Sequence, residues 1–367
     1  MRTTAAVLHE AGAPLELTEL RLADPGPQQA LVRVHATGVC ASDVHVVDGR
    51  LPKPLPIVPG HEAAGEVVAV GEGVDDLEVG AHVVLSILPR CLDCASCRSG
   101  RTQLCSWGGM LAGSGTLDGT STGWTLDDGA PVHHFNGVSS FADHVLVPRS
   151  GAVEVDPAVP YPAAALLGCA VSTGVGAVRN AADVRPGQTV AVIGCGGVGL
   201  NVIQGARMAG ASRIVAVDVD DAKLELAVEL GATDVVDARA GKVRRAIKDH
   251  VAGGVDHAFD AIGRPEALED AFGALGTGGT AVAVGLYATD AEVTLRAFPL
   301  SGERKLVGTY LGGVDPHVDI PRLAADHLAG DLRLTELIVE RPFADVQDAI
   351  DELRAGRTLA RQVLTWP

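Results

Sequence analysis

Hydrophobic and polar residues follow two different rhythms along the chain. Residues 1–150 contain short runs rich in β-branched and apolar side chains, such as 30–34, 64–70 and 82–88, which are separated by glycine and proline. Short runs with this punctuation are typical of strands joined by turns. The pattern predicts a small β-barrel or sandwich in this half of the chain.

From about residue 187 the pattern alternates between strand and helix. Predicted strands read TVAVIG, RIVAVDV, VDHAFDAIG and TAVAVGL, and predicted helices cover 198–208, DAKLELAVEL up to Gly231, and PEALEDAFGAL. Alternation of this kind builds a parallel, doubly wound sheet. After about residue 310, helical segments near 321–328 and 345–354 and a short strand QVLTW are too little for a domain, so we expect them to pack on the first half.

One uncharged stretch, 157–178, is as long as a membrane span. Pro157, Pro160 and Pro162 interrupt its first turns, and several Gly, Ser and Thr residues follow. Prolines and small polar residues of this kind do not suit a membrane-spanning helix. The stretch is therefore interpreted as a buried helix and a loop.

Length, composition and charge narrow the class of protein. The 367 residues suit two domains, or one domain interrupted by another. The 29 Lys and Arg against 46 Asp and Glu leave a net charge of −17, which opposes binding to nucleic acid or to an anionic membrane. The seven cysteines are an odd number and the N-terminus lacks the apolar core of a signal peptide, so we expect a cytoplasmic protein.

The first predicted strand–helix junction carries a glycine motif. Gly194, Gly196 and Gly199 form G-x-G-x-x-G directly after an apolar strand, and Gly197 and Val198 complete the loop. Such glycines allow a tight turn and the close approach of a pyrophosphate, whose charge is met by N–H groups at the helix N-terminus. The alternative is a tight turn whose glycines serve packing alone.

An acidic residue decides which dinucleotide this motif would bind. Asp218 ends the next predicted strand, where a carboxylate can accept hydrogen bonds from the adenosine ribose. The sequence therefore favours NAD over NADP. Two interpretations stay open for Lys223, a place near the ribose or an ordinary solvated position on its helix.

Four of the cysteines lie in one short loop. Cys91, Cys94, Cys97 and Cys105 give the spacing C-x2-C-x2-C-x7-C within a glycine-containing segment, which is enough thiolates for a closed tetrahedral zinc site. Disulfides and an iron–sulfur cluster are the alternatives. The spacing and the expected reducing compartment favour structural zinc.

Three cysteines remain, and their spacing does not join them. Cys195 lies inside the glycine loop, where a small packing side chain is expected. Cys40 lies in GVCASDVH, His61 in PGHEAAG and Cys169 in LGCAVSTG. A lone buried cysteine is more often part of a core than a metal ligand.

The order of these motifs resembles one known family. GVCASD, GHEAAGEV, the four-cysteine loop, GCAVSTG and GCGGVG occur in the order found in zinc-dependent alcohol dehydrogenases of the medium-chain dehydrogenase/reductase family, in its long-loop form. The resemblance extends to HHF at 133–135 and to the closing RQVLTW. It implies a doubly wound Rossmann domain over 171–310, inserted between the parts 1–170 and 311–367 of a GroES-like, β-rich catalytic domain.

The resemblance also implies a second metal site. Cys40, His61 and Cys169 would hold a catalytic zinc with an open fourth position. Asp43 matches the family carboxylate that accepts a hydrogen bond from the histidine ligand, and Glu62 matches a residue behind the metal. Without the motif, both acids would be taken for solvated loop charges.

Further roles follow from the same resemblance. Ser42 matches the hydroxyl that takes the proton of the alcohol, and His45 the residue that passes it to solvent. Thr173 and Arg361 match residues at the cofactor, the arginine at its pyrophosphate. Ala41 departs from the family pattern, since many relatives have a pyrophosphate-binding Arg or His there. The residues expected to line the substrate channel are Leu51, Ile87 and Phe135.

The expected function is reversible hydride transfer between a primary or secondary alcohol and NAD, with a catalytic and a structural zinc in each subunit. Ile87 and Leu51 stand where some relatives have aromatic rings, so we expect bulky apolar, aromatic or medium-chain alcohols. A homodimer, or a homotetramer, is expected from the resemblance. A thiol-adduct formaldehyde dehydrogenase is the near alternative, opposed by Leu51, and a non-catalytic NAD-sensing scaffold is opposed by the intact ligand set.

Overall fold

Short strands dominate the amino-terminal part of the chain, as its punctuated runs predict. The computed structural model describes residues 1–366. The predicted strands at 30–34, 64–70 and 82–88 are all found, although the last ends three residues early. The strands are β1 (Arg2–Val7), β2 (Glu16–Leu22), β3 (Gln29–Gly38), β4 (Ile57–Val58), β5 (Glu62–Val70), β6 (His82–Leu85), β7 (Trp124–Thr125), β8 (His133–His134), β9 (His144–Pro148) and β10 (Ala152–Glu154).

Helices in this part are short, and three of them begin directly after a cysteine. They are α1 (Ala41–Val47), α2 (Ala95–Arg98), α3 (Ser106–Ser114) and α4 (Tyr161–Leu166). Cysteines occupy the N-cap positions of the first three, namely Cys40, Cys94 and Cys105. The starts of α1, α2 and α3 therefore each fix the position of a cysteine thiol.

The uncharged stretch, interpreted from the sequence as a buried helix and a loop, is a buried helix from Tyr161 onward, and only residues 157–160 form a loop. Helix α4 continues through a π-helical turn (Leu167–Val171), α5 (Ser172–Gly176) and a second π-helical turn (Ala177–Ala182). Within residues 1–366, this is the one helical segment long and apolar enough to cross a membrane. Its apolar window is 89% buried, as in the core helix of a folded domain.

The alternating region forms a six-stranded parallel sheet. Its strands are β11 (Thr189–Ile193), β12 (Arg213–Asp218), β13 (Asp234–Asp237), β14 (Val255–Asp260), β15 (Leu275–Ala283) and β16 (Lys305–Gly308), in the spatial order β13-β12-β11-β14-β15-β16. The strand order reverses between β11 and β14. Ligands of doubly wound sheets bind outside the carboxyl ends of the strands at such a point.

Four helices connect these strands: α6 (Gly197–Met208), α7 (Asp221–Leu230), α8 (Val243–His250) and α9 (Pro265–Ala274). Right-handed crossovers put the first two on one face of the sheet and the last two on the other. Helix α7 ends at Gly231, as predicted. The sequence pattern missed β13, α8 and β16, because these elements are short and mostly exposed.

The closing residues join the sheet of the first part, as expected. They form α10 (Pro316–Leu328), β17 (Ile338–Pro342), α11 (Val346–Arg354) and β18 (Arg361–Thr365). Helix α10 begins five residues before the predicted start near Pro321. Asp315 caps it by accepting a hydrogen bond from the amide of His317 at 3.1 Å, and Pro321 lies inside the helix.

A mixed sheet forms the centre of this β-rich part. Its order is β10-β6-β5-β3-β18-β17, with β9 also paired to β3, and a three-stranded sheet β1-β2-β7 and the pair β4-β8 accompany it. By compactness, residues Met1–Cys169 group with those from Asp315 onward, and Ala170–Val314 form a second unit. The domain limits proposed from the sequence, 170/171 and 310/311, stay a prediction.

Candidate active site and metal centres

Two cysteines, a histidine and a glutamate form one buried cluster in the β-rich unit. The possible ligand atoms of Cys40, His61, Glu62 and Cys169 all lie within 4.8 Å of one another. Cys40 precedes α1, His61 and Glu62 lie at the start of β5, and Cys169 lies in the first π-helical turn. The fold thus brings together residues that spacing alone did not join.

Asp43 connects three parts of this cluster. Its Oδ2 accepts a hydrogen bond from the amide of Cys40 at 2.9 Å, and its Oδ1 accepts one from the amide of Gly60 at 3.1 Å. The same Oδ1 lies 2.9 Å from Nδ1 of His61. The fully buried carboxylate orients the ring and leaves Nε2 of His61 for a metal ion.

Glu62, the carboxylate of the cluster, forms a buried ion pair with Arg361. Nη2 of Arg361 lies 3.2 Å from Oε1 of Glu62, and Nη1 of Arg361 donates to the carbonyl of Val39 at 3.0 Å. Neither carboxylate oxygen of Glu62 has a hydrogen bond of good geometry. Burial raises the pKa of Glu62 to about 7, although the charge of Arg361 opposes the shift.

The pKa values of the two thiols, Cys40 and Cys169, are shifted in opposite directions. The hydrogen bond from Cys169 lowers the pKa of Cys40 well below its ordinary value, and Arg361 and His61 lower it further against the effect of burial. The same contact raises the pKa of Cys169. The shift favours the thiolate form of Cys40, and two thiols with one imidazole are a donor set that suits zinc.

The two residues predicted to carry protons lie on α1. The hydroxyl oxygen of Ser42 is 3.9 Å from Sγ of Cys40. His45 is half-buried one turn further along, and its carbonyl accepts a hydrogen bond from the amide of Leu51 at 2.8 Å. Burial, and then the charge of Arg50, lower the pKa of His45, so its imidazole is neutral at pH 7.

Of the three predicted channel residues, Phe135 lies against the cluster. Its ring meets His61 edge-on, with 5.3 Å between the ring centroids. Ile87 is buried just after β6, and Leu51 is half-buried after α1. The sequence prediction missed Lys53, whose Nζ lies 5.5 Å from the centroid of Phe135. A lone lysine in a proline-rich loop gave no indication of this position.

Lys53 has neutral partners. Its Nζ donates to the carbonyl of Ala112 at 2.6 Å and lies 3.5 Å from Oδ1 of Asn136. Burial lowers the pKa of Lys53. Within residues 1–366 no carboxylate pairs with this half-buried ammonium group, which is unusual for a buried cation.

The second metal cluster is local and partly exposed. The sulfur atoms of Cys91, Cys94, Cys97 and Cys105 lie within 4.8 Å of one another, and all seven cysteines of the chain are free thiols. The amide of Cys94 donates to Sγ of Cys91 at 3.4 Å, and the amide of Cys91 to Sγ of Cys105 at 3.3 Å. Amide donors to sulfur stabilise thiolates, and four thiolates fit a closed zinc site.

Backbone amides and burial shift the pKa values of two of these thiols in opposite directions. Amides of Cys97 and Ser106 lower the pKa of Cys94 to about 5. Burial raises the pKa of Cys97 to about 12. A metal ion that binds all four sulfurs therefore displaces a proton from Cys97.

The glycine loop has the shape that a dinucleotide requires. A Cβ atom at Gly199 would lie 1.7 Å from the carbonyl oxygen of Gly194, so no side chain fits there. Gly194 adopts a φ of +96°, and Gly196 is the N-cap of α6. The free amides of this helix start lie at the carboxyl edge of the sheet, beside the reversal between β11 and β14.

Asp218 contacts the same loop, a role that the sequence did not indicate. Its Oδ2 accepts a hydrogen bond from the amide of Cys195 at 2.7 Å, and its Oδ1 accepts one from the amide of Val219 at 2.7 Å. Thr173 is buried in α5 and Lys223 is half-buried in α7, both in the same unit as Asp218. Cys195 is fully buried, as expected for a packing side chain.

Two family models match successive parts of the chain. Residues 26–157 match the model described as an alcohol dehydrogenase GroES-like domain. Residues 197–329 match the model described as a zinc-binding dehydrogenase. The two matches together cover most of the chain.

Similar proteins cover the chain from end to end. S-(hydroxymethyl)glutathione dehydrogenase of Synechocystis is 37% identical over 365 residues, which span 98% of both chains. A solved zinc-binding alcohol dehydrogenase domain protein from Burkholderia ambifaria is 37% identical with a TM-score of 0.96, covering 100% of this chain and 99% of that one. Benzyl alcohol dehydrogenase from Acinetobacter calcoaceticus is 34% identical with a TM-score of 0.95, covering 100% of both.

Proposed function

The chain belongs to the zinc-dependent alcohol dehydrogenases of the medium-chain dehydrogenase/reductase family, and we propose that it oxidises bulky apolar alcohols with NAD. As a member it is an oxidoreductase whose cofactors are zinc and NAD. One observation carries the proposal: Cys40, His61 and Cys169 converge in a buried cluster whose histidine is oriented by Asp43. A non-catalytic scaffold has no need of this arrangement.

The proposed roles divide between holding cofactors and moving protons. Cys40, His61 and Cys169 hold the catalytic zinc, and Cys91, Cys94, Cys97 and Cys105 the structural zinc. The glycine loop from Gly194 to Gly199 holds the dinucleotide. Bound zinc supplies a Lewis acid, and the dinucleotide accepts the hydride. The side chains of the protein bind and orient the substrate and the cofactors, and they transfer the proton.

Two side chains of α1 are proposed to move the proton of the alcohol. Ser42, beside Cys40, takes the proton of the alcohol. His45 lies further along the same helix, half-exposed and neutral at pH 7, so its imidazole accepts the proton and releases it to water. Asp43, between the two, stays bound to His61 and to backbone amides and therefore takes no part in the transfer.

We propose that three side chains set the size of the substrate. Ile87 and Leu51 are smaller than aromatic rings, and Phe135 closes one side against His61. An apolar pocket of this kind favours an additional buried methylene by about 1–3 kcal/mol. The similarity to a benzyl alcohol dehydrogenase supports the preference for benzyl-type or medium-chain primary alcohols over ethanol.

Preference for NAD over NADP is proposed from the charge of Asp218, which opposes a ribose phosphate. Because Asp218 also accepts a hydrogen bond from the amide of Cys195 in the glycine loop, Asp218→Gly would loosen the loop as well as remove the charge. Asp218→Asn removes the charge and keeps one of the two acceptor oxygens, so it disturbs these amide contacts less than Asp218→Gly does. We expect the ratio of kcat/KM for NAD to that for NADP to fall in both variants. Equal use of both cofactors by the unmodified enzyme would refute this role.

A thiol-adduct formaldehyde dehydrogenase is the second candidate. Relatives in Synechocystis and Escherichia coli, 37% and 35% identical, carry the name S-(hydroxymethyl)glutathione dehydrogenase. Leu51 opposes recognition of the amino group of such an adduct, because it offers no charge. Lys53 favours recognition of a carboxylate, because its half-buried ammonium group has neutral partners beside Phe135.

One panel of substrates tests both candidates. Benzyl alcohol, hexanol, ethanol, and formaldehyde with and without glutathione would each be followed by NADH absorbance. The first proposal expects the highest kcat/KM for benzyl alcohol or hexanol, and a preference for ethanol would refute it. A rate with formaldehyde that requires glutathione, and falls in Lys53→Gln, would establish the second candidate.

We also propose a cytoplasmic homodimer. Seven cysteines without a disulfide, six of them in two clusters, support a reducing compartment. Strand β16 ends the parallel sheet and exposes Leu306, so its outer edge has unpaired backbone groups that a second copy can pair. Light scattering at micromolar concentration would give twice the mass of 37.6 kDa. A monomer would contradict the proposal, and a homotetramer would point to further contacts.

A further inference from the structure

A pocket with concentrated positive charge lies in the unit formed by Ala170–Val314. Its cavity measures about 480 Å3, and Arg244, Lys248, Arg296 and Arg304 contribute cationic groups to its wall. This size is typical of ligand-binding cavities in proteins. The chain as a whole has a net charge of −17, so four cations around one cavity stand out from its composition. We call this site the basic pocket.

Acidic side chains balance the positive charges of the basic pocket only in part. Arg244 pairs with Asp270 at 2.8 Å, and the carboxylate of Glu269 accepts a hydrogen bond from the amide of Thr294 at 3.0 Å. Within residues 1–366, Lys248 and Arg296 form no ion pair with a carboxylate. The four cations and these two acids leave an excess of two positive charges.

The cations also act on one another. Arg304 donates from Nε to the carbonyl of Gly276 at 3.2 Å, which holds its guanidinium group at the wall of the cavity. Burial, and then the charges of Arg304 and Arg244, lower the pKa of Lys248. Like charges held together in this way repel, and an anion between them removes that repulsion.

The position of the basic pocket separates it from the dinucleotide loop. Lys248 lies in the last turn of α8, Gly273 near the end of α9, and Arg304 directly before β16. In a parallel sheet with helical crossovers, helix ends that precede strands lie at the amino edge. The loop from Gly194 to Gly199 follows β11 and lies at the opposite, carboxyl edge.

We propose that the basic pocket binds a small anion of the pyrophosphate class, either free or as the diphosphate group of a nucleotide. Arginine presents its donors as a planar fork that matches phosphate oxygens, and three arginines with one lysine line this cavity. The excess of two positive charges matches a dianionic or more highly charged ligand. The site is separate from the one that holds NAD.

The test uses enzyme saturated with NADH, because the glycine loop would otherwise bind pyrophosphate itself. Inorganic pyrophosphate is titrated into this complex by isothermal titration calorimetry. We expect binding at one site per chain, weakened about tenfold in Lys248→Gln and in Arg296→Gln, since each removes a charge-assisted hydrogen bond. Both side chains reach the surface, so the variants should fold.

Arg245→Gln is the matched control, because Arg245 is the exposed neighbour on α8 and does not line the cavity. It removes the same charge from the chain and should leave the Kd unchanged. No binding to the NADH complex, or an equal loss in the control, would overturn the proposal. ADP in place of pyrophosphate distinguishes the sources: tighter binding of ADP identifies a nucleotide, and equal binding identifies the diphosphate alone.

Discussion

The two metal clusters of the β-rich unit are built in opposite ways. Cys91, Cys94, Cys97 and Cys105 come from one loop, and two of the four are at least partly exposed. Cys40, His61 and Cys169 come from three distant stretches of chain, and all are buried. The local cluster is completed by backbone amides, whereas the dispersed cluster is completed by side chains, above all Asp43.

This difference indicates what each cluster does. A local cluster stabilises a loop that has little core of its own, so its metal contributes to folding. In a dispersed cluster the positions of the ligands are fixed by the surrounding fold, so the metal is not needed for folding and can take part in catalysis. The four predictions that follow, from the largest expected effect to the smallest, test this division.

The first prediction exchanges one ligand in each cluster. Cys40→Ser should abolish turnover of benzyl alcohol and leave the melting temperature close to that of the unmodified protein. Cys97→Ser should lower the melting temperature or prevent assembly, because its buried sulfur completes the loop site. Activity and thermal unfolding of both variants test this prediction. Lost stability in Cys40→Ser together with lost turnover alone in Cys97→Ser would contradict the assignment of a catalytic and a structural cluster.

The second prediction concerns proton transfer beside the dispersed cluster. Ser42→Ala should reduce kcat by about 10²- to 10⁴-fold, the usual contribution of general acid–base catalysis. His45→Gln should be milder and should slow alcohol oxidation more at low pH than at high pH, where hydroxide takes the proton directly.

The sign of the pH effect follows from the lowered pKa of His45. The imidazole accepts a proton only above that pKa, so the unmodified enzyme keeps its relay to a lower pH than it would with a histidine of ordinary pKa. A profile of kcat against pH that is the same for the unmodified enzyme and His45→Gln would remove His45 from the path.

The third prediction separates the two clusters by their supporting acids. Asp43→Asn should weaken zinc at the dispersed cluster by about ten- to a hundredfold, because His61 loses its charged partner. Asp93→Asn is the control, since Asp93 lies beside Cys94 but is 90% exposed and pairs with Arg98. Metal analysis after dialysis should give two zinc ions per chain for the control and fewer for Asp43→Asn. One zinc in the unmodified protein would invalidate one of the sites.

The fourth prediction addresses the substrate side of the dispersed cluster. Ile87→Phe should shift selectivity from benzyl alcohol and hexanol toward ethanol by about 1–3 kcal/mol in relative kcat/KM. Ile87→Leu, which conserves volume, is the matched control and should leave the ranking unchanged. An unchanged ranking in Ile87→Phe would show that this side chain does not reach the substrate.

Prediction from the sequence succeeded where the pattern was periodic or local. The strand over 64–70 and the helix ended by Gly231 follow directly from hydrophobic spacing and a helix stop. Helix α10 begins earlier than the predicted segment near 321–328, because Asp315 caps it and Pro321 lies inside the helix. Helix α8 was missed, because one buried residue, Ile247, gives no periodic pattern.

The sequence by itself determined the features that depend on neighbouring residues: the four-cysteine loop, the glycine loop after an apolar strand, and the alternation that builds a parallel sheet. Only the tertiary structure decided which distant groups meet. It brought Cys169 to Cys40, paired Glu62 with Arg361, and placed Lys53 beside Phe135. The physical reason is that distances within one turn or loop follow from local backbone geometry, whereas distances between remote residues follow from strand register and helix packing across the whole core.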